Sequence, residues 1–381
     1  MNTKTIPYTK ESAMLHLSLS KSSLVNALNI AVKAVPVRTS LPILECFLLK
    51  SENGRVSLTA NDMEMAICTG VSNSEGDDGK IAVDARLFSE IIRKLPEEEV
   101  RITVDEKLQV TITSGKARFV VAGKDASDFV DMPSIEAGDP VIISQFTLRE
   151  MVSQTIFSIA ANENNKMMTG ELMEINGDRL RLAALDGHRI AIRNCGLGDS
   201  YERKSVIVPG KTLGDISRIL TGNTDDMVEI YFSRNYIQFR FNDTVVLSRL
   251  IEGEYFRINQ MISDNYETKL VFNRKELLDC IERSVLLIRE SDKKPLIMDI
   301  TDFGVTLSLT SIIGSMKEDV DARKEGKNLA IAFNPRFLID ALKAIGDEEV
   351  TLYMSNSRAP GFLKDEEGSY IYLILPVNFV R

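Results

Sequence analysis

Tryptophan is absent from this 381-residue chain, and histidine occurs only twice, at His16 and His188. The four cysteines, Cys46, Cys68, Cys195 and Cys280, fall into no CxxC or CxH spacing. They read as small buried hydrophobes of a reducing compartment rather than as a metal or disulfide set. No apolar run approaches the ~18 residues of a membrane span, and the opening MNTKTIPYTKESA has no apolar signal core. Residues 1–13 read as a mobile tail, with Met14 as a second candidate start. There is no GxxxxGK[ST] loop, no GxGxxG following a strand, no GxSxG elbow and no carboxylate cluster spaced for Mg²⁺. A hydrolase would have to centre on Asp186 and His188, and it would lack a nucleophile. Catalysis and cofactors are therefore not expected.

Basic residues are also outnumbered, 46 against 55 acidic, for a net charge of −9. Affinity for nucleic acid comes from neutralising phosphates and releasing counterions. Any contact with DNA must then run through a segregated basic face, with acidity elsewhere limiting nonspecific adhesion.

What the chain does have is a repeat. VDARLFSEIIRKL (Val83 to Leu95), VPGKTLGDISRIL (Val208 to Leu220) and FNPRFLIDALKAI (Phe333 to Ile345) start at 83, 208 and 333, and both intervals are 125 residues. Self-similarity at a fixed period marks one structural unit used several times. Each third opens on an alternating strand and a helix, from Leu15, Val141 and Leu270. Aliphatic strand runs follow (Ile43 and Val56; Leu172 and Leu180; Leu296 and Val305), turning at Asn53-Gly54, Asn176-Gly177 and Asp302-Phe303-Gly304. Asp62, Asp186 and Thr310 close the second of these runs. A loop rich in Gly or charge, the phased helix and final strands complete each unit. The pattern predicts an α+β fold in which each unit has two helices on six to eight mostly antiparallel strands. Periodicity breaks near 133–140 and within 252–267, which divides the chain into 14–136, 137–262 and 263–381.

At ~100° per residue with Arg86 at zero, positions 87, 88, 91, 92 and 95 fall between about 100° and 240°, and Arg93 nearly eclipses Arg86. Lys211 and Arg218, and Arg336 and Lys343, repeat the arrangement. Every unit thus points two cations away from its core. Glu90, Asp215 and Asp340 follow the first cation by four residues and are candidates for local i,i+4 pairs. Two cations in each of three copies suit a regular polyanion held without sequence readout. Few aromatics share these faces, which argues against single-strand stacking. A protein-interaction scaffold without DNA contact is the alternative.

Two further features stand out. Asp186-Gly187-His188-Arg189 is a turn whose glycine permits a tight backbone. The terminus, Ser369-YIYLILPVNFVR, is strongly apolar and interrupted by Pro376. The proline should stop ladder pairing and leave Val377, Phe379 and Val380 at a free end, one wall of a peptide groove.

Leu41-PIL, Leu58-TANDMEMAI, Leu185-DGHRI with Val206-IVPGK, Phe333-Asn334 and Leu375-PV, in that order, resemble the bacterial sliding clamp family, the beta subunit of DNA polymerase III. The resemblance runs from about residue 14 to the end. It implies three DNA-clamp domains and a head-to-tail dimer closed into a six-domain ring around duplex DNA. The ring tethers a polymerase for processivity, without a reaction of its own. DNA contacts would then include Arg38, Arg149 and Lys166 beside Arg86, Arg93, Lys211, Arg218, Arg336 and Lys343. A partner-peptide pocket would use Met168, Gly187, His188, Arg189, Ile190, Asn334, Phe337, Pro360, Leu373, Ile374, Leu375, Pro376 and Val377. The dimer seam would set Lys116 and Arg118 against Glu318, Asp319 and Asp321, with Leu287 and Ile288 as an apolar contact. Implied partners are double-stranded DNA, a second copy of the chain, the polymerase III catalytic subunit, the clamp loader, and other polymerases and repair proteins carrying a clamp-binding peptide. No membrane partner is implied, and the location is cytoplasmic, at the nucleoid. The chain departs from the family at Leu185 (usually Thr), at Tyr255-Phe256-Arg257-Ile258 (usually Phe-Pro-x-Tyr), at Lys166-Met167 (often aromatic), and at Asn378-Phe379. These departures bear on peptide preference.

Overall fold

The computed structural model describes residues 15–133, 135, 138–161, 165–289, 294–365 and 368–379. The expected tail at 1–13 and the terminal Val380 and Arg381 lie outside these residues. Six α-helices occur among the described residues: α1 Lys21–Ala31, α2 Ala85–Lys94, α3 Gln145–Thr155, α4 Gly210–Ile219, α5 Arg274–Val285 and α6 Pro335–Ala344. None is long and apolar enough to cross a membrane.

Local chemistry sets the helix starts. Ser20, Ser144 and Asn273 cap α1, α3 and α5 by accepting from the backbone N–H three residues on, a substitution-sensitive bond worth ~1 kcal/mol. Asp84 does the same for α2, and Asn334 caps α6 by accepting from the Arg336 N–H, two residues on, whereas α4 begins at Pro209 without a side-chain cap. The second helix of each pair packs on the first, α2 on α1, α4 on α3 and α6 on α5.

The described residues form two compact units, those within 1–141 and 228–249, and those within 142–227 and 250–381. In the first, antiparallel strands of one sheet run in the order Met227–Phe232, Tyr236–Phe241, Thr244–Arg249, Met65–Val71, Arg55–Asn61, Cys46–Glu52, Gly79–Asp84, Ala117–Lys124, Gln109–Ser114, Glu99–Val104, Leu15–Ser20, Ser74–Gly76. The strand Thr244–Arg249 comes from the second repeat yet pairs with Met65–Val71 of the first, Val245 opposite Cys68. The second unit repeats the device. Tyr370–Ile374, from the third repeat, pairs with Arg189–Arg193 of the second, Ile190 opposite Leu373. The second and third repeats therefore each lend a strand to the one before, which covers an edge that would otherwise stand open. A four-stranded sheet of Ser315–Val320, Gly304–Thr310, Leu296–Thr301 and Leu329–Phe333 completes the second unit.

Three expectations need correction. Pro42–Glu45 is a 3₁₀ turn, and the strand starts at Cys46, because Pro42 supplies a helical φ and no donor. The runs read as separate around Asn176-Gly177 form one continuous strand, Gly170–Leu185, and the Gly- and charge-rich loop expected in the second unit, at Leu197–Lys204, lies within the strand Arg189–Pro209. Gly177, at φ +63°, absorbs two register shifts there, so a bulge stands where a turn was expected. Leu87 is 47% exposed, since at ~100° it lies on the rim of the apolar arc. The rest of that face is buried: Phe88, Ile91 and Ile92 in α2, Leu213 and Ile216 in α4, Leu338, Ala341 and Leu342 in α6, and the C-cap residues Leu95, Leu220 and Ile345.

Candidate functional site

The phased cations Arg86, Arg93, Lys211, Arg218, Arg336 and Lys343 are all exposed, as are Arg38, Arg149 and Lys166. Several are steered by neighbours. Arg86 donates to the Val37 carbonyl at 3.3 Å, which places it beside the loop carrying Arg38. Arg93 donates to Asn29 Oδ1 on α1 at 3.0 Å, and Lys343 pairs with Glu282 on α5 at 2.7 Å. The Arg149 guanidinium lies over the turn after α4, where a Cβ on Gly222 would meet its Nη1 at 2.6 Å.

Two of the acids expected to pair locally with the first cations, Glu90 and Asp340, do not. Among the described residues no ion pair joins Arg86 to Glu90 or Arg336 to Asp340. Asp215 is buried and pairs with Arg218, three residues on, at 3.1 Å. Asp340 pairs with Arg189, at 2.6 Å. Basic-before-acidic is the weaker i,i+4 orientation, and a desolvated partner outcompetes it.

Arg189 organises the second candidate site. It is 9% exposed, and its guanidinium uses every side. Nε donates to Asp186 Oδ2 at 3.0 Å, Nη1 to Asp340 Oδ2 at 2.6 Å and Nη2 to the Phe157 carbonyl at 2.6 Å. The guanidinium carbon also stands 4.2 Å from the Phe337 ring centroid, a cation–π contact. One buried cation thereby ties the Asp186 turn to α6 and to the segment after α3. Asp186 Oδ1 accepts from the backbone of His188 (2.9 Å) and Arg189 (3.2 Å), which closes an Asx turn. Gly187 holds φ +87°, and a Cβ added there would meet nothing within 4 Å; backbone, not space, demands glycine here. The His188 ring stacks on Phe337, with centroids 6.2 Å apart.

The terminal segment is bound rather than free. The Leu375 N–H donates to the His188 carbonyl at 2.9 Å, and the Val377 N–H to the Ala332 carbonyl at 2.7 Å. Pro376 does end the strand, at Ile374, but its neighbours find other acceptors, as buried backbone must. The groove residues consequently separate by depth. Ile190, Leu373 and Ile374 are buried, a floor that presents no surface. Met168, Asn334, Phe337, Pro360, Pro376 and Val377 are half-buried, and Gly187, His188 and Leu375 are exposed. Met168 packs on the cluster holding Ile190 and Leu373, together with Leu185 and Phe256. Asn334 is occupied in capping α6, accepting from the Arg336 N–H at 3.1 Å. Asp340 and Phe157, the anchors of Arg189, escaped the sequence reading, because a partner 151 residues away leaves no local pattern.

Two sheet edges are also incompletely paired. Ala117–Lys124 pairs along its length with Gln109–Ser114, but on its other side only Gly123 and Lys124 pair, with Val83 and Ala82. Lys116 and Arg118 lie there beside the exposed Phe119 and Val120. Ser315–Val320 is the terminal strand of its sheet. Glu318 on it is engaged by Arg283 and Asp319 by the Thr306 hydroxyl, while Asp321 is exposed. Leu287 and Ile288 pack partly against the core; the residue they leave outside is Leu286, 80% exposed. Burial pushes the thiols of Cys195 and Cys280 up to about 11 and about 12, so both stay protonated at neutral pH.

Models of the DNA polymerase III beta subunit match the chain in three segments: the N-terminal domain over residues 15–133, the central domain over 142–256 and the C-terminal domain over 259–378. A beta sliding clamp from Staphylococcus epidermidis is 34% identical over 376 residues, covering 96% of this chain and all of that relative. Among solved structures, a DNA polymerase III beta subunit from Eubacterium rectale aligns with TM-score 0.92 at 51% identity, and the Bacillus subtilis sliding clamp with TM-score 0.92 at 29%. Each alignment covers 96% of this chain and 100% of the other. A Pseudomonas aeruginosa sliding clamp, solved bound to griselimycin, aligns at 26% identity with TM-score 0.91 over the same shares.

Proposed function

The chain belongs to the DNA polymerase III beta subunit family, the beta sliding clamps, and from that premise we propose which of its residues hold DNA, partners and a second copy. The family supplies the clamp, and hence the processivity, of the polymerase; it is not itself the catalyst.

The duplex faces the outward cations of α2, α4 and α6, joined by Arg38, Arg149 and Lys166. The observation that supports this is the phase: each repeat presents two exposed cations opposite a buried apolar face. Their neighbours hold several of them by single hydrogen bonds or surface ion pairs, worth ~0–1 kcal/mol each. They can therefore trade those partners for phosphates with little cost, and the absence of base-reading chemistry leaves the grip indifferent to sequence. Replacing Arg93, Arg218 and Lys343 together with glutamate should weaken direct binding to a short linear duplex by at least ~10-fold and flatten its salt dependence. A scaffold without DNA contact would be unaffected by that change.

The groove around His188, Phe337, Pro360 and Leu375 takes a linear peptide from the polymerase, the clamp loader or other clamp-binding proteins. An apolar side chain would lie over the Ile190–Leu373 floor, with polar anchoring by the His188 ring and the exposed turn backbone. Leu185 and Phe256 pack in the same cluster as Met168, so the departures from the family act on the pocket's shape. The chain closes as a head-to-tail dimer in which the Ala117–Lys124 edge of one copy meets the Ser315–Val320 edge of the other. That pairing consumes both open edges, brings Lys116 and Arg118 toward Asp319 and Asp321, and covers Phe119, Val120 and Leu286.

A further inference from the structure

The Asp186 turn has a twin 124 residues earlier, at Asp62-Met63-Glu64-Met65. Asp62 Oδ1 accepts from the backbone of Glu64 at 3.1 Å and Met65 at 2.7 Å, as Asp186 does from His188 and Arg189. Met63 holds φ +74° where Gly187 holds +87°. The Glu64 carbonyl accepts from the Arg249 N–H at 2.9 Å, as the His188 carbonyl accepts from Leu375 at the same distance. Behind each turn the borrowed strand docks in the same register, Ala66 opposite Leu247 and Ile190 opposite Leu373. The first unit thus builds, entirely from its own residues, the turn and added strand that frame the C-terminal groove.

Beside this turn lies a cavity of about 120 Å³, lined by Met63, Met65, Tyr236 and Leu247 among others. Asn61 braces its wall, accepting from the Met63 N–H at 2.8 Å and donating to the Val130 carbonyl at 3.1 Å. Met63 is the anomaly. It is a non-glycine residue in the left-handed region, and its side chain is 49% exposed, so packing does not repay the strain. Such an outlier points toward function, and methionine is the side chain suited to adaptable binding surfaces. The volume is below that of a small-molecule site and accommodates one side chain. Three exposed charges belong to the same lining, Glu64 and Asp131 against Arg249. Acids outnumber the base, so the groove favours a basic neighbour to the anchored side chain.

We propose that this cavity is a second linear-peptide site, taking one apolar anchor between Met63 and Tyr236 with a basic residue facing Glu64 and Asp131. The proposal rests, through the shared geometry, on reading the C-terminal groove as a peptide site. The test uses the full-length protein with ¹³C-labelled methionine methyls, titrated with a synthetic peptide carrying a central Leu-Phe pair flanked by lysines, and with its aspartate-flanked counterpart. The lysine peptide should shift the Met63 and Met65 signals saturably, also in His188→Ala. Met63→Gly, which the positive φ accommodates without unfolding, should weaken that binding about tenfold. Glu64→Lys should move preference toward the aspartate peptide. Shifts confined to Met168 would overturn the second site and leave the C-terminal groove standing. Unchanged affinity in Met63→Gly, or equal binding of both peptides to the unaltered protein, would also overturn it. Saturation at Met63 with no response at Met168 would uphold it and remove the C-terminal groove instead.

Discussion

Arg189→Ala isolates the claim that one buried cation assembles the C-terminal groove. The substitution strands Asp186 and the Phe157 carbonyl and removes the ring contact with Phe337. Breaking a buried ion pair by deleting one partner costs ~3–5 kcal/mol. The Asp340 side chain is 41% exposed, so water recovers part of its share. Adding ~1 kcal/mol for the cation–π contact gives a loss of about 4 kcal/mol, or about 10 °C in Tm for a unit of this size. The loss should be accompanied by weaker peptide binding, because the Asp186 turn and α6 are no longer tied. Arg189→Lys should rescue little, since an ammonium cannot reproduce the planar three-way fork. Thermal denaturation and a peptide titration on the same samples measure both effects. A Tm within about 2 °C of the unaltered protein would refute the energetic reasoning. A large Tm loss with undiminished affinity would refute the link to the groove.

Other consequences follow from single features. Glu171 is wholly buried, and among the described residues its hydrogen-bond partner is the Thr155 hydroxyl alone, at 2.9 Å; burial raises its pKa from 4.5 to about 8. Between those values the native state keeps a proton that the unfolded chain has lost, so this carboxyl makes stability fall as pH rises from about 4.5 to about 8. Glu171→Gln should raise Tm at pH 8, leave it unchanged near pH 4.5 and flatten the profile between; equal Tm gains at both ends would contradict the burial argument. Gly187→Ala should cost about 1 kcal/mol through its positive φ alone, a modest Tm loss that a neutral result would rule out. Phe119→Asp with Val120→Asp places charge on the open edge, and sedimentation should then report monomers at micromolar concentration; an unchanged dimer would put the seam elsewhere.

Helix-level structure was legible because it is local. The apolar arcs of α2, α4 and α6 and the cations opposite them are written within a dozen residues of where they act. Glu90 and Asp340 show the limit of that reading: adjacency on a helix suggested equivalent partners, whereas Asp340 answers to Arg189 from another repeat. The terminal run failed for the same reason. Pro376 correctly marks the end of a strand, but the acceptors that tie Leu375 and Val377 down, His188 and Ala332, are far away in sequence. Strand exchange between repeats is likewise invisible to periodicity, since a lent strand has the same alternation as a retained one. It is nonetheless what frames both turns.

Topological retention on DNA tests the central claim most directly. The labelled protein is placed on a nicked circular plasmid by a clamp loader, and the bound fraction is followed before and after a restriction enzyme linearises the circle. A ring that holds DNA by enclosure, through weak outward cations, should persist on the circle and leave promptly once ends appear. Equal retention on circular and linear DNA would mean that the protein binds by affinity rather than encirclement, and would contradict the account.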